Sequence, residues 1–114
     1  MEPGSVVVVS CNGPREKFWG VLLAITPAGV TLRGIPLAAF EDFLHQEVRG
    51  EPQLIAASTV FLPLHRVERL ELDEPAGAVE GLAARFRRVT GRDPAAELLG
   101  EAGGGTAGEL REPR

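Results

Sequence analysis

Few side chains in this chain have nucleophilic or metal-binding chemistry: one cysteine, Cys11, and two histidines, His45 and His65. A thiol nucleophile needs Cys11 beside an imidazole, with a carboxylate such as Asp42 to orient it. Nothing in the spacing brings those groups together, and a small cysteine closing an apolar strand is more simply a core residue. A metal site from His45, His65 and Glu41 lacks His-x-x-x-His or Cys-x-x-Cys spacing. A single cysteine also excludes an internal disulfide. Gly103-Gly104-Gly105 follows no strand and precedes no Lys-Ser/Thr, so it does not match a phosphate loop. The expectation is a non-enzymatic protein with no catalytic residue, no metal and no cofactor.

The cations offer a second chemistry. Arg85, Arg87, Arg88 and Arg92 cluster around the last predicted helices, and His65 and Arg66 interrupt the apolar run TVFLPLHRVERLEL (59–72). These six are the candidate contacts to nucleic acid or another ligand, and binding of that kind weakens steeply with salt. A formal charge of −4 argues against broad capture of phosphate backbones. A solvated helix face and a hydrogen-bonded corner account for the same residues more simply.

The elements that must position these groups are legible from pattern. Val6 to Val9 is a β-branched run closed by Asn12-Gly13-Pro14, which is turn chemistry. Lys17 to Thr26 follows, then Pro27-Ala28-Gly29 turns the chain into Val30–Arg33. Together these predict a meander of three antiparallel strands. Leu37, Phe40, Phe43, Leu44 and Val48 recur at helical spacing after Pro36, predicting an inserted helix over about 36–49 that stops at Gly50. Leu54 to Leu62 reads as a strand again. Pro63 cannot donate to a ladder, and Val67 is out of phase with Leu70 and Leu72. A 3₁₀ turn across Leu64 to Val67 repairs the phase. The run is then strand, corner, strand, with Arg69 pointing outward. Asp73-Glu74-Pro75 resembles a helix start, and Val79, Leu82, Ala83, Phe86 and Val89 give the stripe of that helix. Asp93-Pro94 opens a short helix through Leu99. From Gly100 onward the composition predicts a disordered tail.

The second strand is apolar on both sides: Phe18, Gly20, Leu22 and Ala24 on one, Trp19, Val21, Leu23 and Ile25 on the other. A five-stranded barrel buries one of these faces inside. Burying a residue such as Trp19 on the other is worth about 4–6 kcal/mol as an upper estimate. A cover is therefore required, from the inserted helix, the C-terminal helix or a neighbouring subunit.

The order of these residues resembles a known family. VVVVSCNGPREKFWGVLLAITPAGVTLRG is similar to the first signature of Sm-like proteins, with Asn12, Gly13, Phe18, Gly20, Leu22, Val30 and Leu32 at matching places. TVFLPLHRVERLEL is similar to the second, a strand, a 3₁₀ corner and a closing strand. The PREKFWGVLL block also resembles one in short bacterial proteins, without implying an activity. The resemblance implies an α+β chain. Residues 5–73 would form a strongly bent, five-stranded antiparallel Sm-like barrel with the inserted helix, followed by a helical segment over 74–99 and the tail over 100–114. It further implies homo-oligomers joined through strand edges. RNA-binding members carry an Asp and an Asn around the second turn and an Arg-Gly pair at the corner. Here Thr26-Pro27-Ala28-Gly29-Val30 and Pro63-Leu64 stand instead, and the family's N-terminal helix has no counterpart before Ser5. The reading is thus a self-associating scaffold or binding module. Its alternatives are a nucleic-acid binder using the six cations and a small enzyme using Cys11 or a histidine.

A hydrophobic share of 44% and a charged share of 25% suit one ordinary globular domain. No apolar run reaches the roughly 18–20 residues that cross a bilayer. The N-terminal run has no basic flank and is too short for a secretion signal, so the expected location is the cytoplasm and no membrane partner is expected.

Overall fold

The computed structural model describes residues 1–50 and 54–100. It is an α+β structure: β1 (Val6–Cys11), β2 (Glu16–Thr26), β3 (Gly29–Pro36), α1 (Phe40–Arg49), β4 (Ser58–Pro63), β5 (Val67–Leu72), α2 (Leu82–Thr90) and α3 (Pro94–Leu99). One 3₁₀ turn, Leu37–Ala39, leads into α1, and another, Leu64–Arg66, joins β4 to β5. The strands form one antiparallel sheet in the order β4-β3-β2-β1-β5.

The sheet curls. Val7, Val9, Cys11, Leu22, Val30, Leu32 and Leu62 share its inner face and are all buried, although no helix contributes to that cluster. One sheet buries its own face only by bending over itself. The bend passes through a pair of glycines, Gly20 opposite Gly34, which let β2 and β3 approach too closely for any side chain between them. The corner is pinned to both hairpins, with Leu64 N–H donating to Ala28 O and Asn12 N–H to Arg66 O. Among the described residues no ladder joins β4 to β5, so the expected closed barrel is instead a curled sheet with two open edges.

The outer face is covered by this chain's own helices. Trp19, Val21 and Ile35 pack with Phe40, Phe43 and Leu44 of α1, Phe86 of α2 and Leu98 of α3. Trp19 is the centre of this layer: Phe40 stands edge-on to its ring at 4.9 Å, and Phe86 lies tilted at 6.2 Å. The cover stops short, because β2 does not keep strict alternation. A bulge between Leu22 and Ala24 shifts the register, so that Ala24 faces Thr31 and Ile25 faces Val30. Leu23 and Ile25, expected in line with Trp19 and Val21, are 37% and 50% exposed.

Several elements begin or face differently from expectation. Pro36 ends β3 rather than opening α1. The buried face of α1 includes Gln46 and Glu47, while Val48 is exposed. Gln46 engages the backbone ahead of β4, accepting from Leu54 and Ile55 N–H and donating to Ile55 O. Those bonds hold Leu54 and Ile55 out of the ladder, so β4 starts at Ser58 and Leu54 is exposed. Helix α2 starts at Leu82 rather than at Asp73-Glu74-Pro75, and Val79, expected in its stripe, is exposed and bridges back to Ala76. Residues 51–53 lie outside the described residues, as does the tail expected over 100–114 from residue 101 on, while Gly100 caps α3. Among the described residues, no helix is long and apolar enough to cross a membrane.

Candidate functional site

Cys11 belongs to the inner face, 1% exposed. Burial pushes its thiol above the ordinary range; the nearby Arg66 charge acts against this and Glu16 adds to it. His45 and Asp42 lie on α1, which covers the opposite face of the sheet, so the sheet separates them from the thiol. His65 is exposed on the corner, and no hydrogen bond or ion pair joins it to Cys11. Glu41 is held by Arg85, which keeps its carboxyl below the usual range. Among the described residues, no three potential metal ligands come together.

The candidate arginines are each matched to a carboxylate. Arg66 reaches back across the corner to Asn12 O (3.1 Å), Pro14 O (2.7 Å) and Glu16 Oε2 (2.8 Å). Arg85 forks onto Glu41 and lies 5.8 Å over the Phe40 ring. Arg88 forks onto Glu80, and Arg87 meets Asp93 at 3.1 Å. Arg92 meets Glu47 at 2.5 Å and Glu97 at 3.8 Å. A phosphate would have to displace these partners. Only His65 among the six keeps its donors free. The charge pattern on α2 thus reads as internal pairing, which spacing alone could not show because the acids come from α1, the 73–81 loop and the α2–α3 connection.

Sequence reasoning missed the Glu47–Glu97–Arg92 cluster, since its two carboxylates come from different helices, α1 and α3. Its Oε1 is buried without a hydrogen-bond partner. Burial first, then the Glu47 charge and a hydrogen bond with Glu47, push the Glu97 carboxyl upward, while Arg92 pulls it down. A raised carboxyl favours the neutral acid in the folded chain. Its contribution to stability is complete below the unfolded carboxyl range and is lost as pH rises through the folded value. Glu97→Gln should therefore raise stability at pH 7 by about 1 kcal/mol, and the gain should vanish near pH ~4. Thermal melts of both proteins at the two pH values check this, and a gain independent of pH refutes it.

Some of the exposed apolar side chains lie along the two sheet edges. β4 carries Phe61 and leads into Leu64, each 51% exposed, while Leu72 on β5 is 41% exposed. The Phe61 ring lies over Gly29, where a Cβ would meet it at 2.9 Å. Both outermost strands present backbone donors and acceptors on their free sides, and the corner Leu64–Arg66 makes them neighbours along the chain. Compared with family models, curated proteins and solved structures, the chain matches none of them.

Proposed function

We propose that this chain is a non-catalytic, cytoplasmic self-associating module of the Sm-like kind, a scaffold or binding platform whose copies join β4 of one to β5 of the next. One observation carries the reading: the curled sheet ends in two unpaired edge strands, and the helices cover its outer face without covering either edge. Pairing edge with edge satisfies the free backbone groups and generates a head-to-tail contact that closes into a ring if the rotation permits. The exposed Phe61, Leu64 and Leu72 supply apolar area along the same edges. The strand order and the 3₁₀ corner support the Sm-like comparison, with α2 and α3 taking up the outer face.

Solution mass by light scattering after gel filtration tests this, with absorbance at 260 nm recorded. The expected result is a closed oligomer free of nucleic acid, reduced to monomer by Phe61→Arg. A wild-type monomer at high micromolar concentration sinks the proposal. Co-purifying nucleic acid, lost with salt, would instead favour a nucleic-acid binder using His65 and the arginines.

A further inference from the structure

Among the described residues, cationic side chains without a carboxylate partner gather at one end of the sheet. Arg66, Arg85, Arg87, Arg88 and Arg92 face carboxylates, and Arg33 donates to Leu98 O. Arg15 and Lys17 differ: among the described residues, neither side chain makes a hydrogen bond or an ion pair. Glu16, between them in sequence, does not neutralise them. Strand alternation sends it to the opposite side of β2 from Lys17, where Arg66 holds it at 2.8 Å.

Register adds a third cation. Ser10 stands opposite Lys17 on one side and opposite Arg69 on the other. Directly opposed residues share a face, so Lys17, Ser10 and Arg69 form a row across β2, β1 and β5. This row lies on the outer face, beyond the apolar part that the helices cover. Two strand spacings put the cationic residues about 10 Å apart at Cα, within joint reach of one small anion. A register shift after Ser10 makes Glu68 the unpaired residue of β5. With Arg15, these side chains line a hollow of about 240 Å³, in which three cations face the single carboxylate of Glu68. Arg69 also meets Glu71 at 3.6 Å, but both side chains are well exposed, and such a pair competes weakly with a ligand. Arg15 and Lys17 further border a second hollow, of about 560 Å³, which Glu16 also lines and whose other wall is the apolar shelf Pro36, Leu37 and Ala38; the Glu16 carboxylate is engaged there by Arg66.

We propose that this end of the outer face binds a small phosphomonoester, its phosphate seated over Ser10 between Lys17 and Arg69 and its apolar body on the Leu37–Ala38 shelf. The chemistry selects the anion. A phosphomonoester carries close to two negative charges and three acceptor oxygens near neutral pH. The hollow offers a matching excess of two cations over carboxylates, with ammonium, guanidinium and hydroxyl donors in a row. A carboxylate ligand would bring one charge and two oxygens, leaving a donor unused. Lys17 and Ser10 lie on β2 and β1, inside the sheet, and Arg69, although on the edge strand β5, shares their outer face rather than the free backbone side used in self-association.

Amide NMR on the full chain, titrated with phenyl phosphate and with inorganic phosphate, tests the proposal. Shifts should centre on Ser10, Lys17 and Arg69 for both, with the tighter Kd for phenyl phosphate and weakening as salt rises. Lys17→Ala, at an exposed position, should raise that Kd about tenfold or more, Leu37→Ser should remove the preference for phenyl phosphate, and Arg88→Ala should change nothing. Shifts elsewhere, or shifts that survive unaltered in Lys17→Ala, overturn the site. So does binding confined to phosphatidic acid vesicles or to a single-stranded oligonucleotide, with none of phenyl phosphate.

Discussion

Replacing Asp73 by alanine should cost about 3–5 kcal/mol, a large part of the stability of a domain this size. The carboxylate sits at the end of β5 and joins two layers. Its Oδ2 accepts from the buried Trp19 Nε1–H at 2.8 Å and from Ala83 N–H at 2.6 Å, and its Oδ1 accepts from Leu82 N–H at 2.8 Å. Asp73 therefore caps α2 from well upstream, a task that the N-cap residue, Gly81, cannot perform without a side chain. Its charge also lies against the positive end of the helix. Alanine leaves an indole N–H and two amide N–H groups without their carboxylate partner. Asparagine in its place keeps an acceptor and loses the charge, so Asp73→Asn should cost less than half as much. Urea unfolding followed by circular dichroism gives the values. Trp19 is the only tryptophan, so its fluorescence should also report a loosened environment in Asp73→Ala before global unfolding. A loss below about 1 kcal/mol would mean that the bonds are not the anchor described.

Gly34→Ala should be nearly as damaging, by a different route. A Cβ at Gly34 would lie 2.2 Å from Trp19 O and 2.6 Å from Gly20 Cα, both backbone atoms of the facing strand. Neither can rotate away, so β2 and β3 must separate where the sheet bends, at a cost of about 3 kcal/mol. That corresponds to a fall of about 12–24 °C in Tm for a domain of this size. The separation also moves Trp19 away from the aromatic layer, so that both cores loosen together. Gly50→Ala is the control. Gly50 ends α1 in a left-handed conformation with φ 67°, but nothing lies within 4 Å of an added Cβ. It should cost only about 1 kcal/mol, from the backbone conformation alone. Equal losses at the two positions would show that the close approach of β2 and β3 is not what limits the side chain.

These two positions also show where pattern reading stops. Local chemistry was enough for the order of elements. The β-branched run from Val6, the Asn12-Gly13 and Ala28-Gly29 turns, the Phe40–Phe43–Leu44 spacing, and Pro63 followed by a change of phase at Val67 each depend on neighbours within a few residues. Strands, inserted helix, corner and short last helix accordingly stand close to where the spacing predicts. The need for a cover over Trp19 and Val21 was legible too, because an apolar second face has to leave water. Which element provides it was not. Three helices do, and they leave Leu23 and Ile25 out because a bulge, invisible in hydropathy, reverses the faces of β2 beyond Leu22.

The candidate sites follow the same division. The arginines around α2 are conspicuous in the sequence, yet their charges are answered by Glu41, Glu47, Glu80 and Asp93. Those acids lie outside α2, in a flanking segment or on another element, beyond the reach of any helical repeat. Conversely Arg15, Lys17 and Arg69 look like scattered surface residues until strand register sets two of them on either side of Ser10. Asp73 reads as a helix start by composition, and its carboxylate does serve a helix start, but one that folds back to it across the outer face. The residue types and their short-range spacing determined which elements form and what they must bury. Burial, pairing partners and the free edges arise only when β5 returns to β1 and the C-terminal helices reach Trp19, because long-range contacts decide which charges are neutralised and which are left to bind.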